Sequence, residues 1–106
     1  MGVNSYFLRD SSQAALPTSS TQILPFSSAR SFLLLENTDA TNDIWVNLTG
    51  GTAVARGPGC IFLPHASATQ PSPSRIVFNA GCPTNAITAI SLVATTSLTV
   101  IDNGVA

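Results

Sequence analysis

The sequence predicts an all-β domain: a small antiparallel β-sandwich or jelly-roll-like fold with an extended N-terminal arm. Three observations predict it. Apolar residues alternate with period two in short runs, as in Ile44-Trp-Val-Asn-Leu48. Turn residues punctuate the chain every ten or so positions, which is the spacing of sandwiches and barrels. No segment joins an apolar stripe of period 3.6 to helix caps.

Residues 1–28 read as the arm and residues 29–106 as the sandwich. Positions 10–31 hold nine Ser or Thr together with Pro17 and Pro25, and their apolar residues are scattered. The arm has two apolar points, Tyr6-Phe7-Leu8 and Ile23-Leu24-Pro25-Phe26. The alternative for Gln22–Phe26 is a first strand folded back on the domain. Ser31–Glu36 is a short apolar run closed by the polar cluster 37–43. Ile44, Val46 and Leu48 then form the inward face of a half-buried strand, ended by Gly50-Gly51. Thr52–Ala55 and Cys60–Leu63 are expected as short strands flanking Gly57-Pro58-Gly59. Pro64 to Ser74 is a proline-containing loop, and Arg75–Asn79 is a strand turned by Gly81-Cys82-Pro83. Ile87–Ala94 and Ser97–Ile101, rich in β-branched residues, are expected to close the fold as a hairpin across Thr95-Thr96.

Composition narrows the function. Only 8% of the 106 residues are charged, the net charge is −1, and thirteen Ser and twelve Thr fill the polar positions. All four cations are arginines, so a P-loop, a Schiff base and a lysine nucleophile are excluded. No basic field exists for counterion release, so nucleic acid is not an expected partner. Such low charge suits a chain that buries surface in an assembly rather than one kept apart by self-repulsion. The uncharged stretch Ile76–Ile101 is long enough to span a bilayer, but Asn79, Gly81, Pro83 and Asn85 break its apolar continuity. No membrane partner is expected. The opening Met1–Arg9 lacks the basic start and long apolar core of an export signal, and Tyr6 stands where a myristoylation motif needs Ser or Thr.

The search for chemistry returns mostly negatives. His65 is the single histidine. Cys60, His65 and Cys82 have the right atoms for zinc, but their spacing matches no known site, so no metal and no cofactor are expected. The two cysteines are expected as small buried thiols, and His65 as an exposed loop residue. No G-x-S-x-G elbow occurs, and the chain is expected not to be an enzyme. Asp39 and Asp43 are expected to bond their own turn backbone rather than a cation. Asn47-Leu48-Thr49 is a glycosylation sequon placed inside a strand, and is discounted. Trp45 lies opposite Ile44, Val46 and Leu48, so it is expected to point outward as a subunit contact or ligand platform.

The series Arg30-Ser-Phe-Leu-Leu-Leu-Glu-Asn37, Asp43-Ile-Trp-Val-Asn47, Gly50-Gly51, Gly57 and Gly59 before Cys60-Ile-Phe-Leu-Pro64, Ala86-Ile-Thr-Ala-Ile-Ser91 and Leu98-Thr-Val100 resembles the small β-sandwich virion proteins of tailed bacteriophages. The resemblance spans residues 29–101 and leaves the arm unmatched. It implies a non-enzymatic, homo-oligomeric capsid decoration (cement) protein, located on the virion and made in the host cytoplasm. Its partners would be the major capsid protein and copies of itself. The alternative is a tail, fibre or adaptor component, or a receptor- or carbohydrate-binding module acting through Trp45. Tyr6, Phe7, Leu8, Ile23, Leu24, Phe26 and Trp45 are the expected interface residues.

Overall fold

The computed structural model describes residues 8–66 and 74–103. These form two antiparallel sheets packed face to face. The strands are β1 (Arg9–Asp10), β2 (Gln13–Leu16), β3 (Thr21–Leu24), β4 (Leu33–Asn37), β5 (Ile44–Asn47), β6 (Ile61–Leu63), β7 (Arg75–Phe78), β8 (Ile87–Ser91) and β9 (Thr96–Asp102). One sheet has the order β1–β9–β4–β7, with β2 also on β9, and the other has the order β3–β8–β5–β6.

β1 and β2 lie end to end along one edge of β9, pairing Arg9 with Asp102 and Gln13 with Leu98. Between them the Ser11 amide donates to the Val100 carbonyl and the Val100 amide donates to the Ser12 hydroxyl. They are one edge strand with a side chain standing in for a backbone acceptor. Counted so, eight strands alternate between sheets at every link except β5 to β6. That order is a jelly roll.

The expected arm is therefore corrected for residues 9–24. They supply an edge strand to each sheet, and Leu16, Ile23 and Leu24 are buried in the core. An edge strand needs only a few inward apolar residues, so a Ser/Thr-rich segment can serve as one. The expected β8–β9 hairpin is corrected as well, because these strands belong to opposite sheets. Their link is an arch, tied by a 2.7 Å hydrogen bond between the Ser91 and Thr96 hydroxyls. Alternation alone does not separate an arch from a hairpin, but a two-residue hairpin demands Gly- or Asn-type turn residues that Thr95-Thr96 does not supply. Thr52–Ala55 is a loop rather than a strand. It is held where the Ala53 amide donates to the Ser20 hydroxyl at 2.9 Å.

The core lies between the sheets, with Leu33 and Leu35 of β4, Ile44 and Val46 of β5, Ile87 and Ala89 of β8, and Leu98 and Val100 of β9. At one end a buried polar network replaces apolar packing. Asp102 accepts from Arg9 at 2.7 Å and from Arg30 at 3.0 Å, and Arg30 also donates to the carbonyls of Pro25, Pro83 and Asn85. One guanidinium thus fastens the β3–β4 and β7–β8 links to β9. No helix of the described residues is long and apolar enough to cross a membrane.

Candidate functional site

Of the expected interface residues, Tyr6 and Phe7 lie outside the described residues. Leu8 and Phe26 are exposed, Phe26 at 63%. Ile23 and Leu24 face the core and present no surface to a partner.

Trp45 is covered, retaining only 6% exposure. Its backbone pairs with Phe62 on β6 and Ile90 on β8, so β5 is a central strand. The Phe62 ring stacks on the indole with centroids 5.1 Å apart and planes at 29°. The Arg56 guanidinium sits 5.7 Å from the indole centroid, within cation–π range. All four residues of β5 are buried, which corrects the half-buried strand expected from its alternation. The outward residue open to a partner is Phe62, 48% exposed, with Ile61 and Val54 exposed nearby in sequence.

The loop between β5 and β6 makes this cover possible. Arg56 takes a left-handed backbone conformation, and the Gly57 amide donates to the Val54 carbonyl at 3.0 Å. A Cβ on Gly57 would lie 2.7 Å from that of Val54, so only glycine closes this turn.

Asp43 sits two residues before Trp45 and accepts twice on Oδ1, from the His65 amide at 3.0 Å and His65 Nδ1 at 2.7 Å. His65 is thus half-buried and paired, not the free loop residue expected. Burial pushes the Asp43 carboxyl up, but the two His65 contacts and the charges of His65 and Arg56 outweigh it, holding the group below its usual range. Asp39 follows the expectation for a turn aspartate. It accepts from the Thr41, Asn42 and Ser97 amides, which overcome its burial and keep it charged to lower pH.

Cys60 and Cys82 are free and half-buried rather than fully buried. Burial pushes the Cys82 thiol up, away from the reactive thiolate. Among the described residues, no group of three His, Cys, Asp or Glu side chains could hold a metal ion. The Asn47 side chain is committed on both atoms, its amide to the Thr52 carbonyl and its oxygen to the Thr49 amide and hydroxyl, so the sequon is locked into the fold.

The sequence reading missed Phe62 and Arg56. Phe62 could have been found from strand pairing, since the Gly-rich turn folds Cys60–Leu63 back against Ile44–Leu48. Nothing local to Arg56 indicates that it folds back over the indole. Compared with known proteins, the chain matches no family model, no curated protein and no solved structure.

Proposed function

We propose that this chain is a structural virion protein of a tailed bacteriophage, a capsid decoration protein that binds over the head and stabilises it in multiple copies. The observation that carries the reading is the Phe62 patch. An aromatic pair with an arginine beside it, on the outer face of β5 and β6, has the composition of an interface hot spot. β6 pairs only with β5 among the described strands and carries no charge. Covering the strand itself desolvates no ion, and Arg56 beside it is a charge that a partner must pair or leave in water. Covering Phe62 and its apolar neighbours contributes about 25 cal/mol per Å² of apolar area. Many such contacts on one lattice add through avidity. The strand motifs that resemble small phage virion proteins point the same way, and the jelly roll is a recurrent capsid architecture, an analogy of fold.

Labelled full-length chain mixed with phage heads assembled without it is expected to co-sediment, and Phe62→Lys is expected to reduce the bound fraction severalfold. Label found on tails, or free of particles, overturns the head assignment. Equal binding by Phe62→Lys moves the contact elsewhere on the domain.

A further inference from the structure

A pocket of about 170 Å³ opens beside the β4–β5 and β8–β9 links, lined by Thr41, Asn42, Asp43, Ser91, Leu92 and Val93. From its chemistry we infer that this pocket binds one neutral sugar ring of a glycan.

Its walls are fixed by hydrogen bonds within the two links. The Asp39 carboxylate holds the Thr41 and Asn42 amides. The Ser91 hydroxyl accepts from the Val93 amide, and the Thr96 hydroxyl donates to the Val93 carbonyl. His65 holds Asp43 through Oδ1 alone. Oδ2 of Asp43 and the Asn42 side-chain amide have no hydrogen-bond partner among the described residues. Asp43 and Asn42, both in the lining, offer a carboxylate oxygen that accepts and an amide that donates, the two functions that bind hydroxyl groups, with charge-assisted strength at the carboxylate.

Opposite in character are Leu92 and Val93, each 50% exposed. Their aliphatic side chains suit the C–H face of a sugar ring. An acceptor, an amide and an apolar wall are the mixed lining of a small-molecule site. The volume equals that of about six waters in the liquid, which fits one ring rather than an extended chain. The lining carries the Asp43 carboxylate and no cation, so it suits hydroxyl donors and disfavours an anionic ligand. A preformed site of this kind binds without paying to order its own loops.

The test is a titration of the isotope-labelled full chain, followed by amide chemical shifts, with D-glucose, D-galactose, D-mannose, L-rhamnose and N-acetyl-D-glucosamine. Saturable shifts at Thr41, Asn42, Asp43, Leu92 and Val93 with at least one of these sugars are expected. Asn42→Ala, which removes a side chain that makes no hydrogen bond among the described residues, is expected to weaken binding severalfold. Asp43→Asn is expected to weaken it about tenfold or more. No shift with any of the five sugars overturns the inference. So do shifts spread away from the pocket, or saturation by tetramethylammonium in place of sugar. The titration reads the pocket and particle labelling reads location, so either reading can fail without the other.

Discussion

Arg30 Nε and Asp102 Oδ2 meet at 3.0 Å with both side chains fully buried. The pair is the polar counterpart of the apolar core. Arg9 supplies a second guanidinium to the same carboxylate, and three backbone carbonyls take three of the four remaining Arg30 N–H donors, so that each Arg30 guanidinium nitrogen is bonded. A buried ion pair offsets its desolvation only when its other hydrogen-bonding groups are also satisfied, as here.

Removing one partner should therefore be costly. Arg30→Met strands the three carbonyls and leaves Asp102 with one cation, so it is expected to destabilise the fold by about 3–5 kcal/mol. Arg9→Met, at a partly exposed site with Arg30 still in place, is expected to cost about 1 kcal/mol. Urea denaturation of the two variants checks the order. Equal costs would show that the buried network does not hold the loops.

Residues 9–24 are expected to be required for folding. Leu16 is wholly buried against β9, and Leu16→Ala should cost about 2–5 kcal/mol. Phe26→Ala, at an exposed link, should stay within about 0.5 kcal/mol. A chain lacking residues 1–24 should lose cooperative thermal unfolding. A truncated chain that melts like the full one would restore the separable arm.

Trp45 is the single tryptophan, so its emission reports on its cover directly. Blue-shifted emission with weak iodide quenching is expected from the full chain. Phe62→Ala uncovers one face of the indole and should shift emission to the red while raising the quenching constant. An unchanged spectrum would mean that Phe62 does not shield the ring.

Asp39 gives a pH dependence of definite sign. Its carboxyl is held below the usual value in the folded chain, so the folded state binds fewer protons than the unfolded state as pH falls. The stabilisation is complete above the unfolded value of about 3.9 and is lost as pH drops through the folded value. Asp39→Asn should lower the urea midpoint at pH near 6, and the gap to the unsubstituted chain should narrow progressively as pH falls below about 3.9. A gap that persists in acid would assign the effect to geometry rather than charge.

Period-two alternation in the sequence by itself determined the all-β class, the location of most strands after residue 30, and the inward face of Ile44 and Val46 on β5. Side-chain direction along a strand is local, so a single chain segment carries it. Which strand lies beside which was decided only in three dimensions. Ile87, Ala89 and Ser91 alternate with the same period whether β9 continues their sheet or faces it across the core. Trp45 was legible as an outward residue, but its cover comes from Phe62 and Arg56, residues 17 and 11 positions away in the sequence. The role of residues 9–24 was hidden for a related reason. Edge strands share their burial with one neighbour, so Leu16, Ile23 and Leu24 suffice where a central strand needs a longer apolar run, and only the assembled sheets show what those three side chains are packed against.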